Sequence, residues 1–340
     1  MDTRGAMLVN LGSPDSPDKD DVRRYLNEFL MDGNVIDLPW PLRRLIVSLF
    51  VLPTRPAKSA KAYASVWTDE GSPLISLSQR LLEKVRQETD IPVELAMRYG
   101  QPDMASALVR LAAKPDISEV LLFPLYPHYA MSTVKTAVEK AREIVEDHKL
   151  PITLKVHPAF YDHERYIEAL VESARDWLEK DYDHLVFSYH GVPERHIFKD
   201  DATASHCLKS QDCCNKASAA HHTCYRHQVY RTSACFVDAA EIPVDKYTVA
   251  FQSKLGRAKW LEPSTTSVIR KLAEQRAKKV LVICPSFVSD CLETLEEIGI
   301  EARKDFIEAG GETLELIPCL NDHPGWVKLV SQWLEEPLPN

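Results

Sequence analysis

Three groups of residues in this sequence have the types and spacing to do chemistry. The first is His190, which ends an apolar run and is followed at once by Gly191, Val192 and Pro193, so an imidazole stands where an extended segment stops and a proline-fixed turn begins. The second is Glu293, Glu297 and Glu301, spaced four apart, which on a continuous helix stack three carboxylates along one face. Like charges so placed cost a helix about 0.2–0.5 kcal/mol per pair, so the stripe either lies in water or neutralises a cation. Solvation suits Glu297 and Glu301, and suits Glu293 less well, because Glu293 falls in the first turn after an apolar run. An imidazole with carboxylates suits proton removal or the handling of a divalent cation. The third group is Cys207, Cys213, Cys214 and Cys224, with His206, His221, His222 and His227 close by in sequence. All 8 cysteines lie between Cys207 and Cys319. Without an export signal, such crowding favours metal or redox chemistry over disulfides.

These residues must be positioned by the elements around them. Short β-branched and aliphatic runs at 6–11, 93–99, 120–125, 152–156, 185–189, 247–251, 280–284 and 314–317 read as buried strands. Amphipathic stretches at 76–89, 134–147, 165–180, 267–277 and 292–309 read as helices between them. Such alternation requires crossover connections and parallel sheets, which predicts an α/β protein of two doubly wound, Rossmann-like lobes. The expected division is 1–150 and 151–320, with a last helix from 321 to 340 packing back on the first lobe. Ligands of such sheets gather beyond the carboxyl ends of strands. There the sequence places aromatic and aliphatic side chains around Asn10, Arg98, Tyr126, His128, His190 and Trp260, walls that suit a flat apolar ligand.

Two segments break the alternation. Residues 34–56 carry Trp40, Leu45, Ile46, Leu49, Phe50 and Leu52 with Arg43 and Arg44 among them, either a core helix or an exposed apolar lip for a greasy ligand or a membrane surface. Residues 200–229 form the polar, Cys-rich insertion. Composition excludes several functions. The chain of 340 residues has only 11 glycines and no Gly-x-Gly, so neither phosphate-cradling fingerprint is present and no nucleotide cofactor is expected. A formal charge of -9 argues against nucleic acid. The first residues lack a signal-peptide layout and no uncharged apolar run spans a membrane, which leads to a cytoplasmic expectation.

The motifs NLGSP at 10–14, RY at 98–99, FPLYPHYAMST at 123–133, SYHGVPERH at 188–196, FQSKLGRAKWLEPST at 251–265, CPSFVSDCLETLEE at 284–297 and PCLNDHP at 318–324 occur in order along almost the whole chain. Together they resemble the ferrochelatase family. That resemblance implies a lyase-class porphyrin metal chelatase of haem biosynthesis, inserting ferrous iron into a porphyrin held in a cleft between two similar lobes. It makes His190 and Glu293 the catalytic pair and metal ligands, with Glu297 and Glu301 continuing a route for metal or protons. It assigns porphyrin contact to Leu11, Arg55, Lys58, Arg98, Tyr99, Tyr126, Ser132 and Trp260, with Arg55 and Lys58 toward the propionates. Leu11 stands where coproporphyrin-using members carry Tyr, which tilts the substrate to protoporphyrin IX. Cys291 stands where many members carry His, removing one metal ligand. The chain ends at Asn340 without the cluster-bearing C-terminal extension of animal members.

Some microbial members hold a [2Fe–2S] cluster on internal cysteines, which makes Cys207, Cys213, Cys214 and Cys224 candidate ligands. Zinc and a lid with metal-free thiols are the other readings of that segment. Cys235, Cys284 and Cys319 read as small packed hydrophobes. Coproporphyrin III as substrate, a porphyrin or haem carrier without catalysis, and a cobalt or nickel chelatase for corrin-type rings are the rival functions. The His190 and Glu293 pair discriminates against a carrier, which needs a haem ligand but no base opposed to a carboxylate. Peripheral membrane contact and oligomeric state stay open at this stage.

Overall fold

The computed structural model describes residues 3–254 and 258–338. Leu255, Gly256 and Arg257 of the 251–265 motif lie outside the described residues. The chain divides into two compact units: unit 1 comprises 1–126, 131–158 and 326–340, and unit 2 comprises 127–130 and 159–325.

Unit 1 is built on a parallel sheet of β1 (Thr3–Gly12), β2 (Val93–Tyr99), β3 (Ile117–Pro124) and β4 (Thr153–Val156), in the order β2-β1-β3-β4. Its helices are α1 (Lys19–Leu30), α2 (Trp40–Ile46), α3 (Arg55–Val66), α4 (Pro73–Glu88), α5 (Met104–Ala112) and α6 (Thr136–Asp147). Unit 2 begins with α7 (Glu164–Leu178) and repeats the scheme with β5 (His184–His190), α8 (Glu194–Asp200), α9 (Tyr225–Ala239) and β6 (Tyr247–Gln252). It continues through α10 (Thr265–Glu274), β7 (Lys279–Ile283), α11 (Leu292–Leu295), α12 (Arg303–Glu308) and β8 (Thr313–Leu316). Its sheet order, β6-β5-β7-β8, is the order of unit 1 shifted by four strands. All eight strands predicted from apolar runs are present, because a sheet covered on both faces needs side chains such as Val9, Leu122, Val186 and Val282 buried in every layer.

The last helix, α13 (Pro324–Glu335), places its apolar face in unit 1, where Trp333 packs on Phe123 and His157, with ring centres 6.0 and 5.0 Å apart. Arg4 fastens its end through the carbonyl oxygens of Leu334 and Glu336.

Two expectations are corrected. Residues 292–309 do not form one α-helix: α11 is a single turn, Glu297–Ala302 is π-helical, and α12 follows. The amide of Glu301 donates to Glu296 O, five residues back, at 2.8 Å. That wider turn breaks the regular i+4 stack, leaving Glu293 and Glu297 half-buried and Glu301 exposed. The segment 34–56 is not a core helix either. No residue of α2 is buried, and Trp40, Leu42, Leu45, Leu49 and Phe50 are exposed. Its arginines are held locally: Arg43 donates to the carbonyls of Ile36 and Leu38, and Arg44 to Asn27.

Candidate active site

His190 is the last residue of β5, and its register partner on β6 is Gln252. The ring Nδ1 lies 2.7 Å from Gly191 O. A carbonyl only accepts, so Nδ1 carries a proton, and in the neutral ring Nε2 is then the nitrogen with a lone pair for a proton or a metal. Gly191 is required here, since a Cβ would stand 2.9 Å from Gln252 O and 3.2 Å from the ring of Trp260. The half-buried indole of Trp260 therefore lies directly against the turn that carries His190.

Gln252 organises the carboxylates. Its amide nitrogen donates to Glu293 O (2.6 Å) and to the Glu297 carboxylate (3.2 Å), while its amide oxygen accepts from Ser188 (2.7 Å) and the Cys284 thiol (3.7 Å). Every hydrogen-bonding position of this buried amide is used, which fixes its orientation. Ser253, held at φ 64, donates a second, very short hydrogen bond to Glu297. Burial raises the Glu297 carboxyl above its ordinary range and the neighbouring Glu293 adds to this; Ser253, His190 and Gln252 only partly offset it. A half-buried carboxylate pair with an imidazole in electrostatic reach is suited to share and pass protons, or to receive a dication.

The short helix α11 has its own fastening. Cys291 caps it: the Thr294 amide donates to the Cys291 sulfur, and the Cys291 amide to Thr294 Oγ1. Burial pushes the Cys291 thiol up, and the neighbouring Glu293 carboxylate adds to this. Asp290 accepts from Thr294 (2.8 Å), Asn321 Nδ2 (2.7 Å) and Cys319 N (3.2 Å). The motifs at 284–297 and 318–324 are thus two halves of one support for Glu293.

The thiol-rich insertion is also ordered by hydrogen bonds. Asp201 accepts from the amides of Thr203, His206 and Cys207 and from the Thr203 hydroxyl; burial opposes its charge, but these donors together hold the carboxyl far below its usual range. Cys207, Cys213 and Cys224 are buried and Cys214 is half-buried. Burial pushes the Cys207 thiol up to about 11, and the Cys214 thiol is raised as well, by the nearby Cys224 and by burial. Arg226 donates to the sulfurs of Cys214 (3.1 Å) and Cys213 (3.6 Å), and Leu208 N to Cys213 (3.4 Å). His206 and His221 bond to Cys213 O and His227 to Cys214 O, so these imidazoles hold backbone carbonyls. Among the described residues, no group of three or more His, Cys, Asp or Glu is arranged to hold a single metal ion.

Of the other sequence-derived candidates, seven belong to unit 1. Arg98 forms a 2.5 Å ion pair with Asp32, and the hydroxyls of Tyr99 and Thr136 donate to the same carboxylate. Burial works against that charge, yet Thr136, the Asn34 amide, Arg98 and Tyr99 outweigh it and lower the Asp32 carboxyl. Tyr126 is buried with a hydroxyl that has no partner among the described residues. Leu11 and Ser132 are half-buried, Ser132 on a π-helical turn (Met131–Lys135), and Arg55 and Lys58 are exposed on α3. His128 is a core residue rather than a wall of an open cleft: it is 2% exposed, its Nε2 meets Thr232 Oγ1 at 2.8 Å, and burial pushes its imidazole down to about 3. Sequence reasoning did not single out Gln252, Ser253, Asp32, Asp201 or Tyr225. Gln252 and Ser253 had a usable signal, as polar residues directly after an apolar run.

Two parallel four-stranded sheets of one order, with an imidazole and carboxylates at strand ends in the second, are the build of a chelatase. The SirB structure from Bacillus subtilis with Fe3+ matches this fold with a TM-score of 0.53 over 98% of this chain and 93% of that one, at 12% identity. The chain belongs to the ferrochelatase family, whose profile matches residues 3–338. Ferrochelatases of Pseudomonas fluorescens (strain Pf0-1) and Stutzerimonas stutzeri (strain A1501) are 53% and 54% identical to it, the first over 98% of both chains and the second over 98% of this chain and 97% of its own. Its substrates are accordingly a porphyrin and Fe2+.

Proposed function

We propose that this chain inserts Fe2+ into protoporphyrin IX to give protohaem, the last step of haem biosynthesis, with His190 and Glu293 as the central pair. The observation that carries the assignment is the tautomer of His190: with Nδ1–H bound to Gly191 O, Nε2 is the available base or ligand. A free-base porphyrin must lose two pyrrole protons as the dication enters. His190 Nε2 takes a proton from the ring, and the carboxylates of Glu293 and Glu297 receive the incoming cation or carry protons away. The raised affinity of Glu297 for a proton supports that role, and the exposed Glu301 supports entry from solvent. Bending the macrocycle to expose its nitrogen lone pairs costs about 1–5 kcal/mol, drawn from binding its apolar faces.

Leu11, an apolar side chain where extra propionates would need polar partners, supports protoporphyrin over coproporphyrin. Arg55 and Lys58, both exposed cations on α3, suit propionate contact. The exposed row Trp40, Leu42, Leu45, Leu49 and Phe50 supports peripheral membrane contact. Cys207, Cys213, Cys214 and Cys224 would hold a [2Fe–2S] cluster: four thiols within one short segment, two of them receiving N–H donors, suit thiolate ligation of iron. Such a cluster would supply one-electron redox chemistry. Anaerobic incubation with protoporphyrin and Fe2+ tests the central assignment: collapse of the free-base visible bands to the metalloporphyrin pattern is expected, and their persistence overturns it. Competition against coproporphyrin decides the substrate by the ratio of kcat/KM.

A further inference from the structure

The backbone of His190 stands beyond the ladder that holds the rest of β5. On one side it pairs with β6 as far as Gln252, and Gly191 N donates to Gln252 O at 2.8 Å. On the other side, pairing with β7 ends at Phe187 and Ile283, three residues earlier. The N–H and C=O of His190 on that side need partners from elsewhere. Two side chains provide them. His190 N donates to Ser286 Oγ at 3.2 Å, and the hydroxyl of Tyr225 donates to His190 O at 2.9 Å. The two peptide groups of His190 are thus held by two separate side chains, Ser286 on the N–H and Tyr225 on the C=O.

Tyr225 is the residue after Cys224 and opens α9, with its ring buried at 5% exposure. The same end of α9 carries Arg226, bonded to the sulfurs of Cys213 and Cys214, and His227, bonded to Cys214 O. Gln228, fully buried, donates to the carbonyls of His221 and His222 and accepts from Tyr129 N. The first turn of α9 is therefore fastened to the thiol loop by residues on both sides of the phenol that holds His190. The thiol loop and the hold on the His190 carbonyl therefore share one turn of helix.

We propose that Tyr225 is a positioning residue for His190 and that, through it, the occupancy of the thiol loop sets how well His190 works. This rests on the reading of His190 as the base or ligand of metal insertion and of the loop as a cluster site. Tyr225 touches no reacting atom; it acts by fixing the carbonyl, and hence the ring, of the residue that does.

The test uses Y225F, which keeps the ring and loses the hydroxyl. As-isolated Y225F is expected to lose about tenfold in kcat with KM for porphyrin within about twofold of wild type, as for a misplaced group that does not hold the ring. A readout independent of turnover is the His190 signal in the 1H–13C spectrum of histidine-labelled protein, assigned with H190A. It should move in Y225F, and it should move in wild type when loop metal is removed by a chelator under reducing conditions, followed by loss of visible absorption. In Y225F, the same removal should change neither signal nor kcat further, the non-additivity expected of two changes on one path. An unmoved signal with wild-type kcat in Y225F overturns the role of Tyr225. An unmoved wild-type signal on metal removal, or an equal fall in both proteins, overturns the coupling. Freshly isolated protein free of loop iron overturns the cluster reading and the coupling with it, while the Y225F signal still decides the hold on His190.

Discussion

The two units solve one topological problem and then treat their acids in opposite ways. In each, a π-helical turn after the third strand runs into an α-helix: Met131–Lys135 before α6 in unit 1 and, beyond the single turn of α11, Glu297–Ala302 before α12 in unit 2. In unit 1 the first α-helical residue, Thr136, and two residues at the end of β2, Arg98 and Tyr99, converge on Asp32 and stabilise its charge. In unit 2 the π turn itself begins with Glu297, whose neighbours are Glu293, His190, Ser253 and Gln252. One acid is neutralised by a guanidinium. The other is crowded by a second acid. A compensated charge stabilises a scaffold, whereas an uncompensated one is available to a proton or a dication, and this difference supports the proposed assignment of the chemistry to unit 2.

The comparison is most sharply tested at His190. H190A should lower metal insertion by at least about a thousandfold while porphyrin binding, followed by quenching of intrinsic fluorescence, stays within a few-fold; E293Q should resemble it. Wild-type-like turnover in either would move the chemistry elsewhere. In unit 1 the expected effect is on stability. R98M leaves Asp32 charged and largely buried, and should cost about 3 kcal/mol in chemical denaturation, the usual result of removing one partner of a buried pair. Because the Asp32 carboxyl is lowered in the folded state, its contribution is present above the ordinary value of 3.8 and is lost as pH falls through the folded value. D32N should therefore flatten the acid limb of the stability profile.

Glu297 has the opposite sign. Its raised carboxyl contributes fully below the ordinary value of 4.5 and loses that contribution as pH rises through the folded value. E297Q should gain stability relative to wild type as pH rises above the ordinary value of 4.5, followed by chemical denaturation across pH, and a gain at acid pH instead would show that Glu297 is compensated like Asp32. The smallest effect is expected on the exposed row of unit 1. F50S should change stability by less than about 0.5 kcal/mol, yet reduce sedimentation with anionic vesicles if that row meets a membrane.

What the sequence displayed, and what it hid, follows from range. The strands were legible because burial on both faces leaves uninterrupted apolar runs, His190 because it stands immediately beyond one of those runs, and Glu293 because it opens the helical pattern that follows another. The π turn was not, since Glu293, Glu297 and Glu301 satisfy the α-helical period on paper and only the i+5 bond from Glu301 to Glu296 separates the two geometries. The pairing of Arg98 with Asp32 spans 66 positions, and that of Tyr225 with His190 spans 35. Neither leaves a local periodicity, because hydrogen bonds between distant segments depend on the fold and not on spacing.

Helix α13 has a consequence for biosynthesis. Phe123 and His157 belong to unit 1 and are in place once its fourth strand has emerged, but the indole of Trp333 that covers them follows the whole of unit 2 in the chain. On a ribosome, unit 1 must wait with that apolar surface uncovered while the whole of unit 2 is synthesised, at about 5–20 residues per second. Premature termination or a C-terminal trimming that removes Trp333 therefore strikes the half of the protein that was made first.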